Sequence, residues 1–271
     1  MQIDLNQLTD IFVDTNDFRV LDDDTTFSLT PFIKTIPVKR NDTDASDEIR
    51  ALCKVLNRQA IAKDPYQQLS IIREVINLNQ LKHPAIAAFQ GFNIYNDNIN
   101  YDEAGEEEEE DGIESMNTSP TLFLEYIDYS PLKNFINKSP STVDPKFNST
   151  KKMICILGLS SAVLYLHKRN ILHRNLNPTV IWLDSNYYPK LVDLSTSRQF
   201  SKDAQSSIIH QTLMQNSNEL YSAYEIEDGS FGSPVDIFSL ARLIYAILSG
   251  IDPFSDRRNY KTHRFISQMM N

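Results

Sequence analysis

The sequence predicts an α+β fold with a strand-rich first half and a helical second half. Short runs of β-branched and aromatic residues dominate residues 27–127, whereas residues 150–168 and 235–248 are long apolar segments with helical spacing. A chain of 271 residues with 41% hydrophobic residues is long and apolar enough to bury a core. These numbers exclude a wholly disordered chain, a collagen-like chain and a coiled coil.

The elements follow in order. Residues 27–40 carry Pro31 and Pro37 among β-branched and aromatic residues, which predicts two short strands or an edge hairpin. Residues 49–56 predict a strand whose alternation sets Cys53 and Lys54 on opposite faces. A helix is expected from Asp64-Pro65 to about Leu81. Strands are expected at 86–94 and 121–127. The two later helices are predicted to be largely buried, and the one at 235–248 on all sides.

Charge and cysteine usage exclude several function classes. The net charge of −10 argues against a nucleic-acid partner. Eight acidic residues and no basic residue occupy positions 102–111, so residues 96–120 are predicted to be a disordered surface insert.

No run approaches about 18 apolar residues and residues 1–5 do not resemble a signal peptide, so we expect no membrane insertion. Two cysteines, Cys53 and Cys155, indicate a reduced, cytoplasmic setting.

Residues 166–178 resemble the catalytic loop of eukaryotic protein kinases, whose pattern is Y-L-H, a spacer, then H-R-D-L-K-P-x-N. Other blocks follow the family order: Ala51–Lys54 for V-A-I-K, Arg73–Val75 with His83-Pro84 for the αC helix and its turn, Lys190–Ser195 for D-F-G, Tyr221–Glu225 for Y-x-A-P-E, and Asp236–Ala241 for D-x-W-S-x-G. The chain is therefore identified as a degenerate, pseudokinase-like member of the superfamily that resembles the tyrosine-kinase-like group.

The resemblance implies a bilobal protein-kinase-like fold and a division of the chain. Residues 1–26 would be an N-terminal extension and residues 27–271 the domain. The N-lobe would span 27–127 with one helix, and the helical C-lobe would span 128–271 and end early.

Three positions that hold nucleotide and metal in the family are retained. Lys54 matches the lysine that contacts the α- and β-phosphates, Glu74 its ion-pair partner, and Asp193 the magnesium ligand. The resemblance therefore implies a Lys54–Glu74 pair and one candidate metal ligand.

Three catalytic positions have changed. Asn175 stands at the catalytic aspartate, and an amide cannot accept the hydroxyl proton. Asn177 stands at the lysine that stabilises the transition state, and Val180 stands at the second metal ligand. The resemblance thus implies that the base, one charge stabiliser and one metal ligand are lost.

The nucleotide pocket also departs from the family. No glycine precedes Lys54, because the first is Gly91, and residues 32–40 with Pro37 are expected at the phosphate-covering loop. The resemblance puts Leu52 above the adenine ring in place of a small alanine, and the only tryptophan, Trp182, below it. Glu125 to Ile127 would form the hinge. Leu52 and Trp182 are expected to narrow the adenine slot.

The resulting expectation is a catalytically inactive kinase-like domain that binds or scaffolds a protein partner and needs no cofactor. An active serine/threonine-type or mixed-specificity kinase with an atypical catalytic loop, using ATP and Mg²⁺, is the alternative. A poorly folding remnant without function is the third.

Overall fold

The computed structural model describes residues 11–21, 27–30, 33–41, 50–56, 66–93, 119–128, 130–138, 142, 144–199, 220–223, 225–228 and 232–253. The chain divides into two compact units, one of Met1–Lys82 with Ala87–Ile127 and one of His83–Ile86 with Asp128–Asn271. Apart from Ser119 and Pro120, the predicted acidic insert lies outside the described residues. The first unit is rich in strands and the second in helices, so the predicted α+β fold class is confirmed.

In the part of the first unit that the structure describes, one long helix accompanies a six-stranded sheet. The sheet order is β1-β3-β4-β6-β5, with β2 beside β3. Its elements are β1 (Phe18–Val20), β2 (Phe27–Thr30), β3 (Ile33–Arg40), β4 (Arg50–Leu56), α1 (Tyr66–Gln80), β5 (Phe89–Asn93) and β6 (Thr121–Glu125). Strand β1 comes from the stretch that the sequence set apart as an extension, so part of that stretch contributes to this sheet.

The predicted alternation along β4 is present. Cys53 packs into an apolar cluster with Ile36 and Phe123 on one face, while Lys54 forms an ion pair with Glu74. This alternation fixes which face of the sheet carries the charge, because side chains two residues apart share a face. Lys54 and Leu52 therefore lie on the same face.

The described residues of the second unit form short strands and two long helices. Its elements are β7 (Ser130–Pro131), α2 (Ser149–His167), β8 (Ile171–Leu172), β9 (Ile181–Leu183), β10 (Pro189–Leu191), β11 (Arg198–Gln199), α3 (Glu225–Asp228) and α4 (Pro234–Ser249). Strands β7, β9 and β10 form one small sheet, and β8 pairs with β11. Helix α4 starts with a proline in its first turn and ends at Gly250, whose φ of 77° suits a residue without a side chain.

The expectation that the helix at 235–248 is buried on all sides is wrong, and the helix at 150–168 is less buried than expected. On α2, Leu157 is 62% exposed, and on α4 Ile237 and Leu248 are each 53% exposed. Each helix packs into the described core along one side only, through residues such as Leu159 and Leu243. Composition alone overestimated the burial because an apolar residue shows what a face could cover, not that something covers it.

Helix α2 is the one described helix that is long and apolar enough to cross a membrane, judged by length and composition alone. Core helices of water-soluble proteins meet the same test. On this helix, Cys155, Leu159 and Leu166 are buried, whereas Leu157 and Leu164 are exposed.

Candidate functional site

Lys54 and Glu74 form a buried ion pair in the first unit. The Lys54 Nζ atom lies 2.5 Å from Glu74 Oε1, and the two side chains are 3% and 1% exposed. Strand β4 carries the lysine and the middle of α1 carries the glutamate, so the pair joins the helix to the sheet. Removing two charges from water is costly unless their geometry is close and further contacts satisfy them. The short distance meets the first condition, and both side chains make additional contacts.

The loop that carries the changed catalytic positions is held in the second unit by Asp236. One carboxylate oxygen accepts the backbone N–H of His173 at 2.8 Å, and the other accepts the N–H of Arg174 at 2.7 Å. His167 Nε2 lies 2.8 Å from the same carboxylate. Arg174 has a φ of 66°, a conformation that side-chain-bearing residues rarely adopt, and the two hydrogen bonds to Asp236 hold it there.

Asn175 and Asn177 form a neutral hydrogen-bonded network. The Asn177 amide Nδ2 donates to the Asn175 carbonyl and to Asn175 Oδ1, both at 3.0 Å. Asn177 Oδ1 accepts from the backbone N–H of Thr179 at 2.9 Å and from its hydroxyl. Both asparagines are at most 5% exposed, and nearby Val180 is fully buried. The polar atoms of Asn177 are thus used within the loop, and neither asparagine carries a charge.

Asp193 is buried at the start of the following segment. Its Oδ1 accepts the Ser195 backbone N–H at 3.3 Å, and the residue is 1% exposed. The Arg174 guanidinium donates from Nε and Nη2 to the carbonyl of Thr196, whose hydroxyl donates to the His173 carbonyl. These contacts tie the segment after Asp193 to the loop that carries Asn175.

The expected phosphate-covering loop is not where the sequence suggested. Residues 33–40 form strand β3, and Pro37 pairs in register with Leu52 rather than standing in a loop. Strands β2 and β3 form a hairpin in which Thr30 pairs with Ile33, so only Pro31 and Phe32 connect them. Pro37 lacks an amide donor but can still occupy a strand, because its neighbours in β3 pair with β4. The link between β2 and β3 is shorter than the six-residue glycine-rich pattern of the family.

The residues expected around an adenine ring belong to both units. In the first, Leu52 pairs with Leu124, and both are at most 1% exposed. Glu125 accepts the Ala88 N–H at 2.9 Å and donates its own N–H to the Ala88 carbonyl, and Ile127 is buried. In the second unit, Trp182 of β9 is 3% exposed and pairs with Lys190 and Pro131. The predicted slot between Leu52 and Trp182 would join the two units and stays a prediction.

These residues fit ATP and magnesium poorly. Asp193 is a suitable oxygen ligand, but Val180 has no donor atom and the β2–β3 hairpin is too short to cover phosphates. Among the described residues, no three His, Cys, Asp or Glu side chains are grouped closely enough to hold a metal ion.

The sequence missed the roles of Asp236, His167 and Thr196. Asp236 was interpreted only as part of a helix-opening block, although its carboxylate fixes a loop more than 60 residues earlier. The only local signal is a buried acid two residues after a helix-starting proline, and helix starts favour acids without any such contact. Strand pairing and loop contacts at this sequence separation cannot be predicted from local patterns.

Comparisons with known proteins agree with this architecture. A family profile described as the protein kinase domain matches residues 38–271. The serine/threonine-protein kinase PknB of Mycolicibacterium smegmatis is 26% identical over 201 residues, which cover 74% of this chain and 28% of PknB. The CBL-interacting serine/threonine-protein kinase 5 of Arabidopsis thaliana is 26% identical over 217 residues, which cover 79% of this chain and 42% of that protein. The chain thus spans less than half the length of these relatives. Because the profile covers most of the sequence, the chain belongs to the protein kinase domain family.

Proposed function

We propose that the chain is a catalytically inactive kinase-like domain that serves as a protein-binding or scaffolding module. The observation that carries the proposal is the network of Asn175, Asn177 and Thr179. The loop is held in place by Asp236 yet has an amide where the family has a base. An amide nitrogen has no basic lone pair at neutral pH, so it cannot take up the proton of an attacking hydroxyl.

The two-residue β2–β3 hairpin supports the same proposal independently. Thr30 and Ile33 are paired, which leaves a link shorter than the six-residue glycine-rich pattern that holds the phosphates in the family, whereas Asn175 and Asn177 affect the transfer step. Restoring only phosphate binding, or only the catalytic base, would therefore leave the other missing. The proposal includes an unidentified protein partner, a cytoplasmic location and no bound cofactor, and the net charge of −10 supports the absence of a nucleic-acid partner. The tyrosine-kinase-like placement stays a prediction from the sequence.

An active serine/threonine-type kinase is the second candidate. The formed Lys54–Glu74 pair and the buried Asp193 favour it, as do relatives named serine/threonine-protein kinases. It requires another group to replace the base and another ligand to replace Val180.

We expect no phosphoryl transfer by the purified full chain. The measurement is incorporation of labelled phosphate from Mg²⁺-ATP into the chain and into a generic serine/threonine substrate. The wild type should give no more signal than Asp193→Ala, because the base position is an amide in both. Stoichiometric autophosphorylation that disappears in Asp193→Ala would establish the second candidate instead.

We also expect millimolar Mg²⁺-ATP to leave the melting temperature of the full chain unchanged. A ligand that binds only the folded state at 100 times its dissociation constant adds about 2.7 kcal/mol of stability, which a melting curve detects easily. Leu52 in place of alanine and the two-residue hairpin both oppose binding. A rise of several degrees that is lost in Lys54→Ala and in Asp193→Ala would show that nucleotide binds.

A further inference from the structure

The segment Ile11–Val20 contacts strands near both edges of the first unit's sheet. At the start of this segment, Phe12 forms a parallel bridge with Phe92 of β5, and the Val13 N–H donates to the Phe92 carbonyl at 2.9 Å. At its end, β1 pairs antiparallel with β3 through three registered residues, beginning with Phe18 opposite Arg40. Strands β4 and β6 lie between β3 and β5 in the sheet order. The segment therefore runs from the β5 edge of the sheet to its opposite edge.

The segment is also held between its two ends. The turn between them is fastened to the end of β3, because Asn41 donates its side-chain amide to the Asn16 carbonyl and its backbone N–H to the Asp17 carbonyl, both at 2.8 Å.

The segment covers an apolar face while it crosses. Val13, Phe18 and Val20 pack against a cluster that comprises Ile36, Val38, Ala51, Cys53, Val55 and Phe123. The rings of Phe18 and Phe123 have their centroids 4.8 Å apart. This face is opposite the one that carries Lys54. The segment and α1 therefore pack on opposite faces of β4.

Gly91 allows the close approach at β5. A Cβ atom at this position would lie 2.2 Å from Val13 Cγ2 and 2.9 Å from the Ile11 carbonyl oxygen, distances that real contacts do not show. A glycine in a strand often marks a site where another backbone approaches closely. Here the approaching backbone is the N-terminal segment itself.

We propose that Ile11–Val20 is an intramolecular strap that covers one face of the first unit's sheet, and that Gly91 is the position on β5 against which the strap packs. The strap opens from its β5 end, where one bridge holds it and Phe12 is 54% exposed, whereas three registered pairs hold the other end. Opening uncovers the β5 edge and the cluster around Cys53 together. The strap precedes residue 38, where the family match begins, so it is a feature of this chain beyond the matched domain.

The reactivity of the two cysteines measures how often the strap opens. Cys53 lies in the covered cluster and Cys155 lies in the second unit, and both are fully buried. Burial raises the pKa of the Cys53 thiol and raises the pKa of Cys155 to about 12, so each thiol reacts slowly unless its surroundings open. Labelling by N-ethylmaleimide, followed by peptide mass spectrometry on the full chain, gives both rates in one sample.

In Gly91→Ala we expect Cys53 to be labelled at least about tenfold faster than in the wild type, with the Cys155 rate unchanged, because the local opening is decoupled from global unfolding. Val13→Ala, which removes the Cγ2 atom, should act in the same direction. Adding Gly91→Ala to Val13→Ala should increase the rate less than Gly91→Ala does alone, since the closer of the two clashing atoms is gone and only the Ile11 carbonyl oxygen remains. Gly232→Ala is the control, because its nearest neighbour atom would be 3.6 Å away.

An unchanged Cys53 rate in both Gly91→Ala and Val13→Ala would refute the strap. A parallel rise at Cys53 and Cys155 in the folded variants would also contradict it, because the strap would then open only with the whole chain. If Gly91→Ala does not fold, Val13→Ala alone decides between these outcomes.

Discussion

Replacing Glu74 by alanine is expected to lower the free energy of unfolding by about 3–5 kcal/mol, because it leaves the buried Lys54 ammonium without its carboxylate. Lys54 is 3% exposed and lies 2.5 Å from Glu74 Oε1, so water cannot replace the lost partner without opening the site. Chemical denaturation of the full chain, followed by circular dichroism, measures the change. The loss in the free energy of unfolding should be several times larger than the loss caused by substituting an exposed residue.

Two further variants separate the charge from the packing. Gln80→Ala changes an exposed residue near the end of the same helix and should alter stability by less than about 0.5 kcal/mol. The double variant Lys54→Met with Glu74→Leu removes both charges, and such replacements are often neutral or stabilising by about 1–4 kcal/mol. A loss below about 1 kcal/mol in Glu74→Ala would show that water reaches Lys54.

Local patterns were sufficient to predict the secondary structure that positions this pair. Strand alternation predicted opposite faces for Cys53 and Lys54, and β4 lies between β3 and β6, where both faces are covered. The helix that carries Glu74 was expected from Asp64 to about Leu81, and α1 spans Tyr66–Gln80. These predictions rest on the periods of two and 3.6 residues, which the sequence records directly.

Tertiary pairing was the part that the sequence did not predict. The kinase resemblance put residues 32–40 with Pro37 at the phosphate-covering loop, yet Pro37 lies in a strand and pairs with Leu52. Likewise, Asp236 binds the backbone of His173, more than 60 residues earlier, and no spacing rule connects them. The exposed faces of α2 and α4 show the same limit, since apolar composition does not identify the surface that covers it.

Replacing Trp182 by alanine is expected to destabilise the second unit by about 3–4 kcal/mol, the lower half of the usual range of about 3–5 kcal/mol for a buried aromatic. Trp182 is 3% exposed in the middle strand of the β7-β9-β10 sheet, next to Pro131 and Lys190. The half-buried Lys190 side chain can move into part of the space that the ring leaves, so the cavity should be smaller than the indole. Leu157→Ala, at a side chain that is 62% exposed, is the matched control and should cost far less.

The same residue reports its own environment, because it is the only tryptophan in the chain. A ring that is 3% exposed should emit at shorter wavelength than free tryptophan in water and resist quenching by acrylamide. Denaturant should move the emission to the free value in the same transition that circular dichroism reports, since unfolding exposes the ring. Emission close to that of free tryptophan in the native protein, with ready quenching, would mean that the ring is solvated. The alanine variant would then lose only a small fraction of the expected stability, because there would be no packed aromatic to remove.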